Sequence, residues 1–171
     1  TYKILKSIFN NDEFFHVHKA LPSRDEFGDE GAANHTRFCK TYNKPGIEFF
    51  VYGKKGFSNE RSTKKYPARQ TLEASLRVAK NHGLNLDKTI FAKQNPNMID
   101  HGVFHNDVIS VGNQNTFLYH EDAFENTTQT IQELQNCFEK YCGQNFYPIR
   151  VSKADVSAEE AVKTYLFNTQ R

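Results

Sequence analysis

Apolar and polar positions along this chain follow two rhythms, and the switches between them mark out its elements. Ile4, Leu5, Ile8 and Phe9 recur at helical spacing, so residues 1–9 are predicted to be the end of a helix. Residues 14–20 alternate and predict a strand. Residues 33–42 can form another strand, and the run 47–52 is a stronger one. Leu72, Leu76 and Ala79 share one face of a predicted helix over 68–81, with Gly83 as its stop signal. Residues 89–93 form a short apolar strand. The series then recurs: strands over 107–112 and 116–120 around a Gly-Asn-Gln-Asn turn, a helix over 123–141, and a closing strand over 146–151. In that helix Phe124, Thr128, Ile131, Leu134, Phe138 and Tyr141 keep the spacing. A last helix is predicted over 157–167, with Ser157 as N-cap and Glu160 as its capping-box partner.

The pattern is therefore α/β: strand-strand-helix-strand, twice, with a period of about 75 residues. One such unit cannot bury its own sheet and helix. Repeated units pack side by side around a shared core or axis. The unit boundaries fall at 28–97 and 98–153, with 1–27 closing a preceding unit and 154–171 opening the next element. The chain begins at Thr1 without Met and stops at Arg171 inside a helix-like pattern, so a piece of a longer protein is expected.

Composition narrows the function classes. Hydrophobic residues make up 37% and charged residues 25%, with 15 Phe and no Trp, which is ordinary for one folded domain. The net charge of +2 is too small to argue for nucleic acid, and no basic cluster is interleaved with aromatics. The basic stretch 53–65 reads as a solvated loop. No apolar run is long enough to span a membrane as a helix. Cys39, Cys137 and Cys142 show neither disulfide nor metal spacing, which predicts inert thiols in a reducing, cytoplasmic setting. His16 and His18 alternate on a predicted strand, but no further ligand stands at a useful spacing, so no metal is assigned.

Three segments carry candidate chemistry. In GDEGAANH, from Gly28 to His35, Asp29 and Glu30 sit among small residues that permit close approach; a tight turn with solvated acids fits the same pattern. In IDHGVFHNDV, from Ile99 to Val108, His105 and Asp107 are two apart at a predicted strand start and would share a face. Such a pair can hold a cation and move protons, although a surface His–Asp pair reads the same way. Glu30 and His105 occupy equivalent places, each just ahead of the first strand of its unit, and in a radial array equivalent places face one central region. In YPARQT, Arg69 near a helix start suits an anionic group; an ordinary surface arginine is the plainer alternative.

GDEGAANH, VYG, YPARQT, QNPNMIDHGVFHNDVISVGN and TYLFN, in that order along almost the whole chain, resemble the N-succinylarginine dihydrolase family. That family is similar to the guanidino-group-modifying enzymes, whose fold is a five-fold α/β propeller of strand-strand-helix-strand modules. The resemblance implies about two modules of such a propeller (a pentein) plus flanking pieces. It implies Glu30 and His105 as catalytic groups, Arg69 as a substrate-binding group for a carboxylate, and Asp107 for the guanidinium. It implies N-succinylarginine as small-molecule substrate, no metal or organic cofactor, and a homodimer for the full-length protein.

The family's nucleophilic cysteine belongs to a glycine-rich segment that is not found here, so its role passes to none of the three cysteines. The 171-residue chain alone is expected to lack hydrolase activity. An arginine deiminase-like or dimethylarginine-hydrolysing enzyme, or a non-catalytic binding module, are the alternatives.

Overall fold

Residues 1–29, 31–58 and 62–168 are described by the computed structural model. The chain opens on a short helix, α1 (Tyr2–Ile8), none of whose residues is buried. The strand predicted over 14–20 does not form. Its alternation is present, but among the described residues no neighbouring strand offers the ladder bonds an extended segment needs. Phe14 and Phe15 stay exposed, and the His16 and His18 rings instead pack together, with His18 also against His82.

The first sheet is ordered β1 (His35–Cys39), β2 (Gly46–Tyr52) and, across the helix α2 (Leu72–Asn81), β3 (Thr89–Lys93). β1 and β2 are antiparallel with Phe38 opposite Ile47; β2 and β3 are parallel with Phe50 opposite Phe91. The crossover helix is what a parallel neighbour demands. α2 starts at Leu72, four residues later than predicted, because the Thr71 hydroxyl caps it by accepting the Ala74 N–H. The stretch before it stays extended, and Thr71 bridges to Lys54. An unpredicted helix, α3 (Pro96–Asp100), follows β3. The Asn95 side chain accepts the Asn97 N–H, and Pro96 fits the first turn. Five residues are too few to carry a helical period.

The second sheet repeats the plan with β4 (Ser110–Asn113), β5 (Thr116–His120), α4 (Thr127–Cys142) and β6 (Tyr147–Val151), antiparallel and then parallel. α4 ends where Gly143 turns left-handed at φ 62°. Its start is later than predicted, because Phe124 is taken into an antiparallel bridge with Gln94 and the Glu125 N–H donates to the Lys93 carbonyl. α5 (Ala158–Thr164) carries the expected capping box, with Ser157 and Glu160 each satisfying the other's backbone.

The fold is thus mixed α/β with two three-stranded mixed sheets. One core serves both. Phe38 and Phe49 of the first sheet stand edge-on to Phe117 of the second, at 5.2 and 5.7 Å between ring centres. Phe146, just ahead of β6, meets Phe38 at 5.0 Å. The Cys39 N–H donates to the Gln114 carbonyl across the seam. α4 of the second unit packs on β2 of the first. Each unit therefore covers the other, and the residues just ahead of β1 and β4 are drawn together.

Candidate active site

The GDEGAANH segment is held by its backbone against YPARQT. The Gly28 carbonyl accepts the Thr71 N–H at 3.2 Å. A side chain on Gly28 would stand 3.1 Å from the Arg69 carbonyl oxygen, which explains the glycine. Asp29 then adopts a left-handed backbone at φ 56°, and its carboxylate oxygen Oδ2 lies 2.8 Å from His105 Nε2. The two side chains are 27% and 28% exposed, open enough to meet a ligand and enclosed enough to be held. Nε2 faces Asp29, and Nδ1 is the ring nitrogen that this carboxylate does not engage. Glu30 lies outside the described residues.

His105 is not at a strand start. It is extended (φ −135°, ψ 156°) and caps a short 3-10 turn, Asn106–Val108, so the two-residue alternation does not relate it to Asp107. The strand begins only at Ser110, because the Val108 and Ile109 N–H groups close onto the His105 and Asn106 carbonyls and not onto a ladder, while the Asn106 N–H is held by the side chain of Asn34. Asp107 is nonetheless close enough for the His105 charge to act on it. Burial raises the Asp107 carboxyl above the usual carboxylate range, and His105 pulls it back. Asn168 Nδ2 donates to Asp107 Oδ2 at 3.1 Å, bringing the TYLFN segment to the same place.

Arg69 precedes α2 by three residues and is exposed. Its guanidinium lies over the Phe104 ring, 4.6 Å from the ring centre, beside the residue that carries the imidazole. Phe104 in turn stands edge-on to Tyr66 at 5.2 Å. The approach to Arg69 is anchored by Asp100, whose carboxylate accepts the backbone N–H groups of Lys64, Lys65 and Tyr66. Those bonds, Lys64 first, hold its carboxyl below the usual range. A cavity of about 480 Å³ opens beside Asp29, with Arg24 and Lys54 among its walls.

The structure therefore brings Asp29, Arg69, His105 and Asp107 into three mutually attached segments. Sequence reasoning missed Asp29 as the partner of His105, and missed Asn34, Gln70, Asn106 and Asn168. All four lay inside motifs the sequence singled out, but nothing in a sequence separates a linking amide from a solvated one. Burial raises the thiols of Cys137 and Cys142, so neither is set up as a thiolate. No group of three or more His, Cys, Asp and Glu side chains able to hold a metal occurs among the described residues.

The family profile described as Succinylarginine dihydrolase matches residues 1–171. The chain belongs to the succinylarginine dihydrolase family. It is similar to the N-succinylarginine dihydrolases of Hahella chejuensis, 54% identical, and Aeromonas hydrophila, 51% identical, each over 171 residues. That of Pseudomonas putida is 53% identical. In all three the match covers 99% of this chain and 38% of the relative. The chain thus spans well under half the length of those relatives, and the matched part holds every segment described above. Among its described residues, no helix is long and apolar enough to cross a membrane.

Proposed function

We propose that the full-length protein containing this chain hydrolyses N-succinylarginine to N-succinylornithine, ammonia and CO2 in arginine catabolism, with His105 as the proton shuttle. The observation that carries this reading is the 2.8 Å contact between His105 and Asp29, across 76 positions of sequence, beside Arg69 and Asp107. Its support is the family and the fit of residue types. A guanidinium presents paired N–H donors that suit carboxylates, and Asp107 is a partly buried carboxylate. Arg69 suits a substrate carboxylate, of which N-succinylarginine has two.

In this mechanism a cysteine thiolate, from the family's glycine-rich segment and not from Cys39, Cys137 or Cys142, attacks the central guanidinium carbon. His105 gives a proton to the leaving ammonia and then takes one from the attacking water. Water releases a ureido product and restores the thiolate. A second round releases another ammonia and CO2. Glu30 orients the charged groups and keeps the guanidinium electrophilic.

On the same reading, residues 28–97 and 98–153 are two modules of a five-fold α/β propeller, flanked by 1–27 and 154–171. The full-length protein is a cytoplasmic homodimer.

Ammonia release by the full-length protein, with N-succinylarginine and with arginine as substrates, tests the assignment. Release from N-succinylarginine and not arginine is expected. His105→Ala is expected to abolish turnover and keep substrate binding. Wild-type rates in that variant, or turnover of arginine alone, would overturn the reading. The 171-residue chain by itself is expected to release no ammonia.

A further inference from the structure

The three segments of the site are joined underneath by a run of buried amides. Asn34, the seventh residue of GDEGAANH, is 2% exposed. Its Oδ1 accepts the backbone N–H of Asn106 at 2.8 Å, immediately after His105. Its Nδ2 donates at 3.0 Å to Oε1 of Gln70, immediately after Arg69. Gln70 Nε2 donates onward to the Ser75 hydroxyl at 2.8 Å, and that hydroxyl donates to the Thr71 carbonyl. On the other side the Ser110 hydroxyl donates to Asn106 Oδ1 at 2.7 Å. Gln70 is fixed at its backbone as well, since its carbonyl accepts the N–H groups of Gly53 and Lys54 at the end of β2.

No buried side-chain polar atom is left without a partner among the described residues. In a dry site such a chain tolerates little displacement, because moving any member strands another. Among the described residues, Asn34 is the one side chain whose hydrogen bonds reach both Asn106, next to His105, and Gln70, next to Arg69. It has one acceptor and one donor in use, one for each segment. Beside the Arg69–Phe104 contact, it is a buried link between the residue after Arg69 and the residue after His105.

We propose that Asn34 is a positioning residue, whose carboxamide locks the His105 segment to the Arg69 segment and so sets the separation of proton shuttle and substrate-binding group. This rests on the reading of His105 and Arg69 given above. An error of about 1 Å in such a separation costs on the order of 100-fold in rate.

The test uses the full-length protein with Asn34→Ala and Asn34→Asp. Asn34→Ala is expected to lower kcat/KM for N-succinylarginine about 100-fold, with both KM and kcat affected, and to speed hydrogen exchange of the Asn106 amide. Asn34→Asp keeps the acceptor for Asn106, and Gln70 can turn its amide to donate. It is expected to restore slow Asn106 exchange and most of kcat/KM. If Asn34→Ala fails to fold, Gln70→Leu breaks one link only and carries the same expectation, with the larger change in KM.

A folded Asn34→Ala protein with wild-type kcat and KM, or with lowered thermal stability alone, overturns the proposal. If the wild-type protein releases no ammonia from N-succinylarginine, the functional reading falls and the Asn106 exchange still decides. Faster exchange in Asn34→Ala that returns in Asn34→Asp sustains the lock, and unchanged exchange removes it.

Discussion

Gly112→Ala probes the seam that brings the two halves of the site together. Gly112 lies in β4, in ordinary strand backbone, so the substitution is sterically neutral for the chain itself. The obstacle is across the seam. A Cβ at this position would stand 2.3 Å from Phe38 Cε1 and 2.7 Å from Thr36 Cγ2. Carbon atoms pack at about 3.5–4.0 Å, so the Phe38 ring would have to withdraw by more than about 1 Å. It has nowhere to go: Phe38 is fully buried, with Phe117 and Phe146 at 5.2 and 5.0 Å. Overpacking of this kind costs about 1–3 kcal/mol, and a closed aromatic cluster puts it at about 2–3. With a urea slope of about 2 kcal/mol/M, the unfolding midpoint should fall by about 1 M with the slope unchanged. Phe38→Leu removes the ring edge that the methyl meets. In a double-mutant cycle the pair should be less destabilised than the sum of the singles by about 1 kcal/mol or more. An unchanged midpoint for Gly112→Ala, or additivity within about 0.5 kcal/mol, would refute the reasoning.

Asp107 supplies a pH prediction. Its carboxyl is raised by burial, and a guanidinium binds only the ionised form, so affinity is present above the raised pKa and lost as pH falls through it. KM for the substrate should therefore climb on the acid side at a pH above the usual carboxylate range, and Asp107→Asn should give a high KM with no such limb. For Asp100, whose carboxyl is lowered by three backbone N–H groups, anchoring of residues 64–66 should persist at neutral pH and fail only as pH falls below the usual carboxylate range. Asp100→Ala should raise hydrogen exchange at those three amides and raise KM more than it lowers kcat. His82 is lowered by burial and then by the neighbouring His18, His35 and His16. The neutral ring is favoured in the folded state, so the stability it contributes is present above the ordinary histidine pKa and lost as pH falls below it. Thermal melts should show acid sensitivity that His82→Gln reduces.

The fold was legible wherever one residue type decided the local outcome. β3 and β5 fell at the residues predicted, because short apolar runs bounded by turn residues have few other uses. The Ser157–Glu160 box located α5 for the same reason. Failures arose where a partner elsewhere decided. Residues 14–20 alternate like a strand and, among the described residues, have no strand beside them. The 107–112 strand loses its first three residues to a 3-10 turn, which follows a backbone that Asn34, 72 positions away, holds at the Asn106 amide. In the site, the repeat anticipated that the segment before β1 and the segment before β4 would meet, and they do. It could not tell which neighbouring acid would face His105. Among the described residues that acid is Asp29, with Glu30 outside them. The linking amides were unreadable because their meaning lies wholly in what they touch.

The left-handed backbone at Asp29 limits the residue alphabet of the loop. Few side chains other than Gly, Asn and Asp occupy that region without cost, because a short polar side chain can bond its own backbone there. The acid facing His105 is thus selected twice over, by conformation and by charge. Asp29→Asn keeps the turn and discharges it; Asp29→Glu keeps the charge and strains the turn. Shape and electrostatics, merged in the native residue, come apart in that pair.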